Sequence, residues 1–410
     1  MERILKQTSW LISVQILTRI LGFFYTIFLA KHLGVSEFGL LTVALAYFSI
    51  ISSIADFGFN RFLIREISMN ELKISELLCN VLMLRLTLSS VLFALFAIFL
   101  YILDADKIRV SLILLSTLAI LPQSIALSYD AIFIATRNLK FSAIALLLSS
   151  LFTALAGLYL ISQGFGSIGA VNALIFGQFV YAVSLFVLLY KSKGLLLSNI
   201  KLSILKKALV GSLPYGLLGV LGLLYFKVDA IILSYLKGSF ETGIYGVAYK
   251  FLEAVMFVPG AFAAALFPVF SRIHDSSPKD LKKMYFKSFK MMLILGILVV
   301  LGYILILPEV IKNFLPKYLS SIESIKILSL SIPFMFIHVP AVSILLSTDK
   351  YLKGVLLLSI VTLTFNLVAN LVFIPQFGFI AASWITALSE VLSFIIFFLY
   401  LKNKILDARN

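Results

Sequence analysis

The sequence predicts an all-α integral membrane protein, with twelve transmembrane helices in two parallel six-helix lobes around a central cavity. Three observations carry that prediction. The 410 residues are 61% hydrophobic and only 13% charged, against roughly 25% charged in soluble globular proteins, so lipid is the main solvent. Twelve apolar stretches reach the ~20 residues that a spanning helix needs at 1.5 Å rise per residue. The opening of the chain also returns about 204 positions later: Gly34, Glu37, Gly39, Val43 and Ala44 keep the spacing of Gly238, Glu241, Gly243, Val247 and Ala248.

The expected spans run over 8–30, 38–60, 78–103, 108–133, 140–162 and 168–190, then 208–236, 241–268, 288–308, 324–347, 353–374 and 377–401. Span 1 follows Arg3 and Lys6 as a signal peptide would. It is too long for a signal-peptide core and forms half of the repeat, so it reads as a mature helix. Spans 1 and 2 flank the first Gly-x-x-Glu-x-Gly turn, and spans 7 and 8 flank the second. Span 4 carries Pro122 where span 10 carries Pro333, and Gly166 precedes span 6 as Gly378 precedes span 12. The basic linker 191–207 divides an N-terminal lobe, 1–190, from a C-terminal lobe, 208–410.

Lysine and arginine in the loops set the orientation. With the N-terminus inside, 23 of the 34 basic residues fall in cytoplasmic loops and 7 in outer loops. Both termini are therefore expected in the cytoplasm of a cell bounded by this plasma membrane. An even number of spans per lobe makes the lobes parallel repeats about an axis along the membrane normal. The net charge of +15 is then a topological signal, not a nucleic-acid footprint. One cysteine, Cys79, excludes a disulfide framework. His32, His274 and His338 are scattered, and no phosphate-binding Gly-x-x-x-x-Gly-Lys loop occurs. No cofactor or metal is expected. The outer-loop pair Asp104-x-Asp106 resembles metal-binding pairs of some membrane glycosyltransferases. Such enzymes carry extramembrane structure that this chain lacks, so no enzyme is expected.

Four basic residues fall inside spans: Arg19, Arg85, Lys227 and Lys250. A charge at membrane depth costs roughly 2.5–3.5 kcal/mol on insertion scales and turns toward a cavity or a partner. Arg19 sits mid-span on a polar stripe with Thr8, Gln15, Gly22 and Thr26, which suits water or another helix better than lipid. Lys227 falls one turn from the position equivalent to Arg19. Each has a structural alternative, pairing with a neighbour such as Asp229 or Glu253. Span 2 bears Ser49, Ser52, Ser53, Asp56 and Asn60 on one face. Arg85 either joins a cationic vestibule there or pairs with Asp56; Arg61 and Arg65 read as surface anchors. Asp229, Glu253 and Glu390 are the candidates for proton or sodium coupling in the second half, with Asp56 in the first. Ser359, Thr362, Asn366 and Asn370 in span 11, and Ser383, Thr386, Glu390 and Ser393 in span 12, form stripes that can equally hold helices together.

Taken together, several stretches resemble the polysaccharide-export branch of the multidrug/oligosaccharidyl-lipid/polysaccharide (MOP) superfamily, the Wzx-type flippases. They are Arg19 and Gly22, then Ala30-Lys-His-Leu-Gly-Val-Ser-Glu-Phe-Gly-Leu, then Asp56-Phe-Gly-Phe-Asn with Arg65-Glu66 closing span 2. In the second half they are Asp229-Ala-Ile-Ile-Leu, Gly243-Ile-Tyr-Gly-Val-Ala-Tyr-Lys and Phe267-Pro-Val-Phe. The resemblance implies a transporter that moves lipid-linked oligosaccharide from the inner to the outer leaflet by alternating access. It also implies a cation-lined cavity for the anionic head group, to which Arg19, Lys227, Arg85 and Gln15 are assigned. No spans beyond twelve provide the lipid-tail groove of the lipid II flippase branch. Expected partners are the lipid-linked oligosaccharide, membrane lipid, a coupling H+ or Na+, and a polysaccharide polymerase or glycosyltransferase. A cation-coupled multidrug antiporter of the same superfamily is the alternative, but cationic drugs call for acidic cavity residues.

Overall fold

A computed structural model describes residues 2–194, 196–274 and 277–407. Among these residues the secondary structure is helical throughout, without strands. The chain packs as two compact units. The first holds residues through Leu33 together with Leu40–Leu223, and the second holds Gly34–Gly39 and the residues from Leu224 onward. The repeat seam expected at 191–207 and the packing break at 223 are thus different places. The first belongs to the sequence symmetry and the second to the contacts.

In the first unit, α1 (Glu2–His32), α2 (Val35–Asp56) from Leu40 onward, α4 (Ile74–Leu103), α7 (Leu139–Ser162) and α8 (Gly166–Lys193) match spans 1, 2, 3, 5 and 6. Span 2 ends earlier than expected. Phe57 and Gly58 take left-handed backbone angles (φ 49° and 81°), which stops α2 and starts a separate short helix, α3 (Phe59–Met69). Arg65 and Glu66 therefore close α3, not span 2. The helix is amphipathic: Phe59, Phe62, Leu63 and Ile67 are buried against Leu77, Leu78, Val81 and Phe133, while Arg61 and Arg65 face outward. Glu66 pairs with Lys207 and Glu76 with Lys201, which fastens the basic linker to the same end of the unit.

Span 4 is divided into α5 (Lys107–Leu118) and α6 (Ile120–Ala135), with Pro122 in the first turn of α6. Proline has no N–H to give the preceding turn, so the ladder breaks there. The second unit repeats the device. Span 10 is α13 (Ser321–Ser329) and α14 (Ile332–Leu345), bent by 40° at the junction, with Pro333 near the start of α14. The other helices of this unit are the C-terminal part of α9 (Leu202–Val255), then α10 (Phe257–Ile273), α11 (Pro278–Leu305), α12 (Leu307–Phe314) and α15 (Leu352–Leu401).

Nine helical segments among the described residues are long and apolar enough to cross a membrane, ten with the bent pair. Two are too long to be single spans, at 72 and 55 residues. Each is interrupted by a glycine with left-handed φ, Gly238 (84°) or Gly378 (56°). Those breaks separate spans 7 and 8, and spans 11 and 12, so the ten segments hold the twelve expected spans. The protein is a multi-pass membrane protein.

The repeated turns meet in the second unit. A side-chain carbon on Gly39 would strike the Ser239 carbonyl and the Gly243 nitrogen, and one on Gly243 would strike the Val35 carbonyl. Val35 and Ser239 are equivalent in the repeat, so the contact is reciprocal. Only glycine allows two backbones this close. Glu241 of the second turn accepts the Phe379 backbone N–H at 3.0 Å, capping the helix that resumes after Gly378.

Candidate functional site

Three faces of α1 can be told apart. Val14 and Tyr25 mark the packed face, with Tyr25 against Gly157 of α7. Leu17, Ile20 and Phe24 form an exposed apolar face. Gln15, Arg19 and Gly22 are exposed on a third face with the half-buried Thr26. At 3.6 residues per turn this polar face lies roughly 160° from the apolar one. A helix with one lipid-compatible face turns its polar face elsewhere. Thr26 and Thr18 return their hydroxyls to the backbone carbonyls of Gly22 and Gln15, at 2.8 and 3.0 Å. Arg19 and Gln15 lie on this face as well. The side chains of Arg3, Lys6, Thr8 and Arg409 lie outside the described ones.

Arg85 takes the internal arrangement, not the vestibule. It is fully buried in the first unit, paired with Asp56, bonded to the Ser128 hydroxyl at 2.9 Å and directed at the Ser124 carbonyl at 3.4 Å. Ser89 joins Ser124 at 2.8 Å, and Ser52 donates to Gln123. The polar face of span 2 is thereby engaged with α4 and α6. Sequence reasoning missed Gln123, Ser124 and Ser128, because only the packing brings them to Arg85.

The second unit holds two distinct polar centres. Lys227 pairs with Glu253, whose other oxygen accepts from Lys250 at 2.7 Å. The Lys227 ammonium also lies 5.6 Å from the centre of the Tyr249 ring, within cation–π range. Lys227, Lys250 and Glu253 are 17%, 25% and 31% exposed. They stand 11 to 15 residues from the break at Gly238, or about 16–22 Å of helix. That is near the middle of a ~30 Å hydrocarbon core. The cluster carries two lysines on one carboxylate, and the buried Asp229 also interacts electrostatically with Lys227.

Asp229 does not take the lysine. It is buried, accepts from the Tyr245 hydroxyl, and lies 3.3 Å from the Thr386 hydroxyl of α15. Glu390 is buried one turn further along α15, beside the Tyr225 hydroxyl. Asn366 bonds Ser389 at 3.1 Å, and Ser383 bonds Ser324 at 2.6 Å. The stripes on spans 11 and 12 thus point into the unit and tie its helices together. Tyr225, Tyr245 and Tyr249 are the participants that the sequence did not single out. Their signal was helical spacing, with Tyr225 one turn before Asp229, Tyr245 one turn before Tyr249 and Tyr249 one turn before Glu253.

The other candidates have internal uses. Asp104 accepts from Arg109 with both oxygens, at 2.6 and 2.7 Å, and Asp106 caps α5, so this acidic pair is committed to local structure. His274 bonds Ser347 at 3.0 Å, and His338 bonds Ser393 at 3.1 Å over the Phe397 ring.

The described helices share their fold with solved membrane transporters, one of them of the MOP superfamily. An inward-facing multidrug transporter of the MATE family, described as a member of that superfamily, is similar at a TM-score of 0.75 and 16% identity, covering 95% of this chain and 94% of that one. The lipid II flippase MurJ in an inward closed conformation is similar at 0.75 and 16%, covering 96% and 87%. The chain belongs to the polysaccharide biosynthesis protein family, whose pattern it matches over residues 4–274. A membrane protein of Methanocaldococcus jannaschii, itself uncharacterised, is 28% identical over 202 residues, or 47% of this chain. The matched stretch spans 38% of that relative's length.

Proposed function

We propose that this protein is a flippase carrying polyprenyl-(di)phosphate-linked oligosaccharide from the cytoplasmic to the outer leaflet by alternating access, for cell-surface polysaccharide or glycan synthesis. The observation that carries this reading is the Lys227–Glu253–Lys250 cluster inside apolar helices. Lys227 and Lys250 together outnumber Glu253, and Arg19 with Gln15 occupies the α1 face opposite its apolar one. Such a lipid has an apolar tail that stays in the bilayer and an anionic, hydrated head that cannot. Fixed cations lower the cost of bringing that head across, provided they bind it weakly enough to let it leave. Arg19, Gln15 and Lys227 are the proposed head-group contacts, while Arg85 holds Asp56 and is a structural cation.

Asp229 and Glu390 are the proposed sites for coupling to H+ or Na+, being the buried carboxylates that lysine does not neutralise. The setting is a plasma membrane with both termini in the cytoplasm, and a polymerase or glycosyltransferase stands before or after the flippase. A multidrug antiporter is the competing reading on this fold, and Arg19, Lys227 and Lys250 inside apolar helices oppose it for cationic drugs. Translocation of a fluorescent polyprenyl-diphosphate oligosaccharide in proteoliposomes tests the assignment. Arg19→Ala is expected to abolish movement while remaining folded and inserted, and undiminished movement by that variant would remove Arg19 from the site.

A further inference from the structure

We infer that Glu253 is an internal stand-in for the substrate's phosphate: it occupies Lys227 and Lys250 in the empty protein and is displaced when a phosphate anion arrives. The inference rests on the flippase reading above and gives its head-group site a second lysine, Lys250, and a competitor. The geometry supports it in three ways. Each carboxylate oxygen of Glu253 accepts from a different lysine, as two oxygens of a phosphate group would. A purely structural pair needs one cation per anion, and here one carboxylate is bonded to two lysines. Asp229 is taken by Tyr245 and Thr386, and Glu390 lies beside Tyr225. All three charged side chains are partly exposed, so the anion can be exchanged without unpacking the unit.

The chemistry asked of the ligand is therefore a phosphate or diphosphate group, with the Tyr249 ring beside Lys227 as one wall. Competition with Glu253 also supplies release: when the anion leaves, the carboxylate returns, and the lysines are never left to repel one another. A head group without negative charge has nothing to exchange for Glu253 and is rejected.

Binding of geranylgeranyl diphosphate, inorganic pyrophosphate, phosphatidylglycerol and uncharged geranylgeraniol to the purified full chain in nanodiscs tests this, alongside thermal unfolding of every variant. Glu253→Gln is expected to bind geranylgeranyl diphosphate about ten-fold more tightly than the wild type. Lys250→Gln, which leaves Glu253 and Lys227 matched one to one, is expected to bind it at least ten-fold more weakly. A parallel gain for pyrophosphate would define the ligand as phosphate alone, and a gain confined to the prenyl diphosphate would define it as the lipid form. Phosphatidylglycerol binding that rises as much as the prenyl diphosphate's would make the cluster a general lipid-phosphate site and overturn substrate exchange. Equal or weaker binding by folded Glu253→Gln would overturn the stand-in role and leave the flippase reading in place. If Glu253→Gln does not fold, wild-type affinity in Lys250→Gln overturns it instead. Wild-type protein that does not distinguish the diphosphate from geranylgeraniol would defeat both readings.

Discussion

Arg85 and Lys227 are both cations inside apolar helices, yet the protein uses them differently. Arg85 is sealed in the first unit with Asp56 and two serines, where its charge is matched. Removing one partner of a buried pair strands the other and costs roughly 3–5 kcal/mol, whereas replacing both by apolar groups is often neutral. Asp56→Asn is therefore expected to destabilise the protein by about that amount, and Arg85→Met with Asp56→Leu to recover most of it. Thermal unfolding in detergent reads both; a double variant as unstable as the single one would contradict the account. The sequence named Asp56 as a partner of Arg85, because both project from the cytoplasmic halves of adjacent spans. It left Asp229 and Glu253 as equal partners for Lys227. That choice is made by Tyr245 and by Thr386, which lies 157 positions from Asp229, and no local pattern reports such a contact.

Among the elements, the glycine turns and proline bends were visible as repeated letters, but their physical work was not. Gly39 and Gly243 let two repeat copies cross backbone to backbone. An added methyl there meets carbonyl groups that cannot rotate away, and overpacking of this kind costs about 1–3 kcal/mol. Gly302 of α11 has no neighbour within 4 Å of such a methyl, so alanine there should stabilise the helix by roughly 0.5–1 kcal/mol. Opposite signs for Gly243→Ala and Gly302→Ala in thermal unfolding would support the crossing; the same sign would not. The division of span 2 escaped the sequence because Phe57, which takes a left-handed angle, is not a residue that announces one. The early stop re-aims Arg61 and Arg65 outward from α3, as surface anchors.

For the molecule as a whole, composition and repeat length were enough to read twelve spans, since hydrophobic thickness fixes helix length. Which faces turn to lipid and which to polar surroundings depended on exposure along each helix, as α1 illustrates. The proposed head group is an anion leaving a cell whose interior is negative, so each charge moved gains about 2.3 kcal/mol per 100 mV. Transport is thus expected to run without ATP and to slow when the potential is collapsed.

Proteoliposomes loaded with a fluorescent polyprenyl-diphosphate oligosaccharide, followed with and without an imposed potential, test the central claim most directly. The account predicts protein-dependent movement that an interior-negative potential on the donor side accelerates and that Arg19→Ala abolishes. No movement of such lipids, together with proton-driven uptake of a cationic dye by the same vesicles, would contradict it and assign the protein to the drug antiporters.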